Sequence, residues 1–104
     1  MTPLPHPGDV AWLDMSPTIG REQRGHRPYL VLSDARLHRA RQLVIGVPLT
    51  TRNSPIPTRV AVGEGSYAIA EQPTTFSMER ITRVEARGLD TAEVRRVIVR
   101  LLGG

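Results

Sequence analysis

At 104 residues the chain has the length of one small domain, and we predict a single domain over residues 1–104. Its 14 basic side chains, all arginine, outnumber its 10 carboxylates, and a net charge of +4 favours partners that carry phosphate or carboxylate groups. The chain lacks cysteine, an apolar run near ~18 residues and a secretory signal, which excludes disulfides and a membrane partner and predicts a cytoplasmic protein.

The chain reads as a loose arm followed by short strands. Residues 1–7 hold three prolines and are predicted to form the arm. Beyond them, six short apolar stretches bounded by Gly, Pro, Asn or Ser are typical of strands. They cover residues 8–15, 27–33, 41–50, 57–62, 66–71 and 81–86. Six strands at this spacing predict a mainly β fold that forms a small barrel.

The third of these stretches carries an alternating apolar pattern. Leu43, Ile45, Val47 and Leu49 fall on one face and are predicted to face the core. Thr50 then points away from that stripe. Proline has no backbone N–H to donate to a ladder, so Pro48 predicts that this end of the strand is an edge or a bulge.

Only the C-terminus, residues 89–104, has a helical pattern. Apolar residues recur there at i, i+3, i+4, i+7 and i+8. They are Val94, Val97, Ile98, Leu101 and Leu102. Asp90 and Glu93 predict a capping box at the start, Leu89 predicts a hydrophobic staple against Val94, and Gly103 predicts the end.

A charged loop precedes the second strand, in the sequence GREQRGHRPYLVLS. Gly20 and Gly25 permit a mobile loop, while Pro28 restricts Arg27 to an extended backbone at the start of the strand. A fixed arginine is suited to holding a phosphodiester through two parallel hydrogen bonds. The same residues also fit a solvated surface loop in which Glu22 pairs with a neighbouring arginine.

Other chemistries have weaker support in the sequence. The three histidines, His6, His26 and His38, have no metal-ligand spacing to one another or to a carboxylate, so we predict neither metal nor cofactor. Ser33, His26 and Asp34 provide the residue types of a hydrolase triad, but no G-x-S-x-G elbow surrounds the serine. Trp12 alternates with Val10 and is interpreted as a core residue.

An ordered set of motifs resembles the MazF/PemK family of toxin endoribonucleases. These are GDVAWLD, then EQRGHRP within the charged loop, then VPLTT, then PT before a strand, from Gly8 to about Gln72. The resemblance implies an SH3-like β-barrel of the CcdB/MazF type with one C-terminal helix. It also implies a homodimer, metal-independent cleavage of single-stranded RNA, and a cognate acidic antitoxin that occupies the RNA groove.

The resemblance also implies which residues form the site. The family's catalytic arginine, before the loop proline, corresponds to Arg27, its catalytic threonine to Thr50, and its loop glutamate to Glu22. We interpret Arg27 as an electrostatic stabiliser and Glu22 as a candidate base, because a guanidinium is too weak an acid for proton transfer at neutral pH. The RNA-binding set is Arg21, Gln23, Arg24, His26, Thr51, Arg52 and Gln72.

Two other functions remain open at this stage. One is a gyrase-binding toxin that resembles CcdB, although the chain ends in RLLGG without that family's terminal tryptophan. The other is a non-catalytic SH3-like module that binds nucleic acid, for which size and charge suffice. Thr74 stands where the MazF/PemK family commonly has a basic residue, so the RNA sequence that is recognised does not follow from the resemblance.

Overall fold

The computed structural model describes residues 3–15 and 25–104, which contain seven strands and two helices. In chain order these are β1 (Val10–Asp14), β2 (His26–Val31), α1 (Ala35–Arg41), β3 (Leu43–Thr50), β4 (Arg59–Gly63), β5 (Ser66–Ile69), β6 (Thr74–Ser77), β7 (Ile81–Glu85) and α2 (Ala92–Leu101). A short 3₁₀ turn, Met78–Arg80, joins β6 to β7. Within these residues no helix is both long enough and apolar enough to cross a membrane.

The strands form one antiparallel sheet in the order β4-β5-β3-β2-β1-β7, and β6 pairs with β3 beside this path. All six predicted strands are present. In the described part of the chain no ladder joins β4 to β7, so the sheet is barrel-like rather than closed. The central strands β1, β2 and β3 carry apolar side chains on both faces, and the sheet lets them bury both.

Two apolar clusters lie on opposite faces of the central strands. Val10, Leu30 and Val47 belong to the first cluster, which α2 covers with Val94 and Val97. The residues next to them along the strands, among them Ala11 and Val31, belong to the second cluster. Successive side chains of a strand point to opposite faces, so β1, β2 and β3 are sandwiched between two small cores.

The predicted core stripe of β3 is correct in its second half and wrong in its first. Val47 and Leu49 are buried, but Ile45 is 38% exposed and Val44 is fully buried instead. The reason is that β3 changes partners along its length, pairing with β6 at Leu43–Gly46 and with β5 at Leu49–Thr50. Val44 pairs with Phe76 of β6 and joins the second cluster.

The prediction that Pro48 marks an edge or a bulge is wrong on the β2 side of β3, where the strand continues to pair. Pro48 is buried and pairs with Tyr29 of β2 in the middle of the sheet. On the other side of β3, the ladder to β6 ends at Gly46 and the ladder to β5 begins at Leu49. A proline is tolerated at this junction because no ladder on that side needs its N–H.

Two elements were missed by the sequence prediction. Helix α1 begins at the cap Asp34, whose carboxylate accepts a hydrogen bond from the Arg36 backbone N–H at 2.7 Å. The hydrogen bond from the Arg36 side chain, followed by this backbone bond, lowers the pKa of Asp34 to about 2. Strand β6 has only four residues, and its pairing with β3 makes it a strand.

The C-terminal helix agrees with its predicted signals over its first two turns. Asp90 accepts a hydrogen bond from the Ala92 backbone N–H at 2.9 Å, and Leu89 packs in the same cluster as Val94. Glu93 pairs with Arg96 instead of completing the predicted capping box. The stripe is not buried to its end, because Leu101 and Leu102 are 53% and 81% exposed.

The residues predicted as a loose arm are packed at Pro5, where that expectation needs correction. Pro5 is fully buried, and its carbonyl oxygen lies 2.8 Å from Nδ1 of His38, which is 0% exposed. A carbonyl can only accept, so Nδ1 donates and Nε2 is left to accept from the Ser33 hydroxyl at 2.6 Å. His38 therefore ties the start of the chain to the end of β2.

We predict that His38→Leu destabilises the fold by about 2 kcal/mol, since it leaves the Pro5 carbonyl without this partner and removes one partner of the half-buried Ser33 hydroxyl. Equilibrium urea unfolding measures the change. The matched control is Arg39→Leu, an exposed position on the same helix, for which we expect a change within about 0.5 kcal/mol. Equal stability of the two variants would contradict the proposed role of His38.

Candidate active site

Arg27 lies at the start of β2 with its side chain exposed. Its backbone is extended and pairs with Leu13 of β1, as the following proline predicts. Within the described part of the chain the guanidinium has no hydrogen bond and no ion pair. Arg27 is thus a cation on a strand whose charge no carboxylate of residues 3–15 or 25–104 neutralises.

Thr50 ends β3, the strand next to β2. The two strands pair at Tyr29 with Pro48, Leu30 with Val47 and Val31 with Gly46. The ladder ends at Tyr29–Pro48, and Arg27 and Thr50 each lie two residues beyond that pair. Both residues therefore lie at the same end of two neighbouring strands, on the same face of the sheet by their spacing.

The Thr50 hydroxyl is oriented by its own backbone turn. Its Oγ1 accepts a hydrogen bond from the Arg52 backbone N–H at 3.1 Å. Because one lone pair is used in this way, the hydroxyl proton remains available for donation to a ligand. Thr50 is consequently a positioned donor at the end of a strand.

A cavity of about 480 Å³ adjoins Thr50, and we call it the Thr50 cavity. Its lining consists of an apolar floor, three hydroxyls and one ion pair. The lining residues are Trp12, Pro28, Leu49, Thr50, Thr51, Glu64, Ser66 and Arg87. Thr51, a predicted RNA contact, lines the same cavity as Thr50.

Arg87 is a basic residue of this cavity that the sequence prediction missed. Its Nε lies 2.6 Å from the Glu64 carboxylate, and Nη1 lies 3.7 Å from that of Glu85. The side chain is 29% exposed, so the guanidinium is held between two carboxylates at the rim of the site. A single arginine after a strand forms no recognisable sequence motif. Its position in the cavity follows from the packing of the β4–β5 turn against the end of β7.

The other predicted site residues are distributed around this centre. His26 is exposed and lines a second cavity next to Trp12. Arg52 is exposed, and its carbonyl accepts from Arg59 Nη1 at 3.1 Å. Gln72 is exposed in the β5–β6 turn and lines neither cavity. Arg21, Glu22, Gln23 and Arg24 lie outside the described residues.

The alternative hydrolase triad is not assembled. The partner of Ser33 is His38 rather than His26, and Ser33 Oγ also accepts from the Ile45 backbone N–H at 2.8 Å. Asp34 is engaged with Arg36. The serine therefore joins β2 to β3 and α1 instead of serving as a nucleophile. In residues 3–15 and 25–104, no three His, Asp or Glu side chains cluster as metal ligands.

Comparison with known proteins assigns this arrangement to a family. The model for PemK-like, MazF-like toxins of type II toxin–antitoxin systems matches residues 6–102. The chain belongs to this family. The match includes both strands that carry Arg27 and Thr50 and extends through the C-terminal helix.

Individual members of the family agree with this assignment. The endoribonuclease toxin MazF of Escherichia coli strain K12 is 36% identical over 72 residues, which cover 66% of this chain and 65% of that protein. This chain therefore spans just under two thirds of that relative's length. Endoribonuclease EndoA of Bacillus subtilis strain 168 is 30% identical over 84 residues, 79% of this chain and 72% of that protein.

A solved structure confirms the predicted fold class. The crystal structure of MazE-MazF (Form-II) from Deinococcus radiodurans superposes with a TM-score of 0.78 at 29% identity, covering 96% of both chains. The mainly β, SH3-like barrel with a C-terminal helix is thus the architecture of this family member. Helix α1 is an addition to the prediction and does not alter this class.

The Arg87–Glu64 pair predicts two changes of opposite sign in the binding of a single-stranded nucleic acid. Arg87→Ala should weaken binding of a 2′-O-methylated RNA octamer and lower the magnitude of the log–log salt slope by about 0.7, the contribution of one phosphate. Glu64→Gln should strengthen binding roughly 2- to 5-fold, because the carboxylate no longer competes for Arg87. Fluorescence anisotropy at several salt concentrations measures both.

The control for this pair is Arg100→Ala, which removes the same charge from an exposed position on α2 that is paired at 3.8 Å with Glu93. We expect its salt slope to match that of the parent protein. A slope for Arg87→Ala equal to that of Arg100→Ala would show that Arg87 does not bind phosphate.

Proposed function

We propose that this chain is a toxin endoribonuclease that cleaves single-stranded RNA at specific sequences. We further propose that it does so without a metal, through attack by the 2′-hydroxyl next to the scissile phosphate. The observation that supports the proposal is the β2–β3 ladder: Arg27, which has no carboxylate partner among the described residues, and Thr50 each lie two residues beyond its last pair, and Thr50 lines a cavity. Membership of a toxin family supports the same reading.

The reaction requires charge stabilisation at phosphorus more than any other contribution. The 2′-oxygen forms a bond to phosphorus while the bond from phosphorus to the 5′-oxygen breaks, and negative charge accumulates on the non-bridging oxygens. Arg27 can donate two parallel hydrogen bonds to those oxygens, and Thr50 a third. Both donors are fixed by strands, so little reorganisation is needed as the charge develops.

Two proton transfers complete the balance of the reaction. The 2′-hydroxyl loses its proton to a base, for which we propose Glu22, and the departing 5′-oxygen takes up a proton. His26 precedes Arg27 on β2 and by strand alternation faces the other side, so we propose that solvent supplies that proton. The products are a 2′,3′-cyclic phosphate, or the monophosphate formed by opening it, and a 5′-hydroxyl.

We propose a homodimer in which an apolar groove of about 290 Å³ on each subunit contributes to the contact. Leu32, Ile45, Pro73, Ile98 and Val99 form its apolar lining. Ile45 and Val99 are 38% and 53% exposed, and Leu102 continues the apolar surface at the end of α2. Contiguous exposed apolar surface of this kind is typical of protein interfaces.

We propose that the cognate antitoxin neutralises the toxin through an acidic segment that occupies the RNA-binding surface. The net charge of +4 attracts either polyanion. The Glu64–Arg87 contact is an example of such carboxylate binding, because a carboxylate already pairs with a guanidinium in the Thr50 cavity. An acidic peptide segment and RNA are therefore expected to exclude each other.

We predict that single-stranded RNA is cleaved in the presence of excess chelator, with 2′,3′-cyclic phosphate and 5′-hydroxyl ends. Mass spectrometry of the fragments identifies the ends. Duplex RNA of the same sequence serves as the control and should resist, because its bases are stacked and its major groove is closed to side chains. An absolute requirement for a divalent metal would exclude this mechanism, and binding of RNA without any cleavage would favour the non-catalytic module.

We predict that Arg27→Ala abolishes cleavage, and that Arg27→Lys remains poor because lysine keeps the charge but loses the bidentate donor geometry. Thr50→Val should lower the rate by about 10² to 10³, the effect of losing one transition-state donor. Single-turnover cleavage rates measure these effects, and circular dichroism verifies folding. Cleavage at the parent rate by Arg27→Ala and Thr50→Val, both folded, would show that the site is elsewhere.

A further inference from the structure

A second cavity, of about 400 Å³, meets the Thr50 cavity at Trp12, which lines both. The second cavity is also lined by His26, Thr82 and Arg83, and we call it the Arg83 cavity. His26 directly precedes Arg27 on β2, so the Arg83 cavity lies at the same end of that strand as the proposed catalytic residues. None of the sequence motifs singled out Arg83.

The side chains around Trp12 form an ordered stack. Trp12 of β1 pairs in register with Pro28 of β2 on one side and with Arg83 of β7 on the other. The Arg83 guanidinium carbon lies over the indole ring, 4.9 Å from its centroid. Such a cation–π contact aligns a planar cation with an aromatic face.

Two further contacts hold this stack in place. Arg83 Nη2 lies 3.0 Å from the Glu85 carboxylate, two residues along the same strand and therefore on the same face. The Thr82 hydroxyl donates to the Trp12 carbonyl at 3.1 Å and ties β7 to β1. The Arg83 side chain nevertheless remains 60% exposed, so its outer surface faces the cavity.

We propose that the Arg83 cavity binds one nucleobase of the RNA substrate, stacked on the Arg83 guanidinium and flanked by His26. This inference rests on the proposed function and identifies a recognition subsite within it. RNA-binding proteins recognise unstacked bases by stacking them on aromatic side chains or on arginine planes. A base stacked here would extend the Arg83–Trp12 pair to a stack of three layers.

The charges at the cavity favour a base over a phosphate or an acidic peptide. Glu85 already neutralises Arg83 and would repel a second anion beside it. Glu85 engages an N–H edge of the Arg83 guanidinium, whereas the planar face of the guanidinium remains available for stacking. Arg27, in contrast, has no carboxylate partner among the described residues and is the better phosphate ligand.

Neighbouring residues of a strand point to opposite faces, so an RNA strand passing the end of β2 meets Arg27 on one side and His26 on the other.

Trp12 is the only tryptophan of the chain and lines both cavities, so its fluorescence reports on ligands at this end of the sheet. The probes are four 2′-O-methylated RNA octamers, each of a single base, and an abasic octamer with the same number of phosphates. None of them has a free 2′-hydroxyl, so all bind without being cleaved. We expect at least one base-bearing octamer to change the Trp12 emission more than the abasic octamer does.

Arg83→Ala should reduce affinity for that octamer about tenfold and leave affinity for the abasic octamer close to the parent value. The control is Arg36→Ala on α1, which removes an arginine paired with a carboxylate at the same distance of 3.0 Å but outside both cavities. We expect Arg36→Ala to behave as the parent protein. In cleavage of ordinary RNA, Arg83→Ala should raise KM with little change in kcat.

The outcomes separate this subsite from the proposed function. If base-bearing and abasic octamers change the emission equally, or if Arg83→Ala and Arg36→Ala bind alike, the subsite is wrong even when the protein cuts RNA. If base-specific emission changes occur but ordinary RNA is never cut, the subsite stands and the catalytic proposal fails.

Discussion

The pairing of β2 with β3 is the constraint on which the rest of the structure depends. Three pairs, from Tyr29–Pro48 to Val31–Gly46, fix the register of the two central strands. Gly46 allows this close approach, because a Cβ at that position would lie 2.5 Å from the Leu30 carbonyl oxygen. A shift by one residue would exchange the two faces, moving Leu30 out of one core and Val31 out of the other. Arg27 and Thr50 each lie two residues beyond this ladder, so the pairing that stabilises the fold also brings them to the same end of two neighbouring strands.

The arginines of the chain differ in whether a carboxylate holds them. Arg36, Arg83 and Arg96 each have a carboxylate within about 3 Å, and all are largely exposed. Exposed pairs of this kind add little to stability, and their main effect is to orient the guanidinium. Arg27 has no such partner in the described residues. A phosphate can therefore reach Arg27 without displacing a carboxylate of the described residues.

The two cavities at this end of the sheet differ in the side chains that line them. The Thr50 cavity combines hydroxyls with the Arg87–Glu64 pair, which suits the sugar–phosphate backbone. The Arg83 cavity combines a planar cation, an indole and an imidazole, which suits a base. Trp12 separates them and is half-buried against the first core, so it is a structural residue and the wall of a site at the same time. Its interpretation as a core residue was therefore correct but incomplete.

The sequence by itself determined most of the local elements. Short apolar stretches between turn residues located six of the seven strands, helical spacing located α2, and Pro28 predicted the extended backbone of Arg27, because these signals depend only on neighbours along the chain. Tertiary structure decided what depends on distant partners. It made a strand of β6, buried Val44 in place of Ile45, accommodated Pro48 at the junction between two ladders, and brought Arg87 and Arg83 to the site from β7 and the loop after it. These features follow from which strands pair and in which register, and no short segment of sequence contains that information.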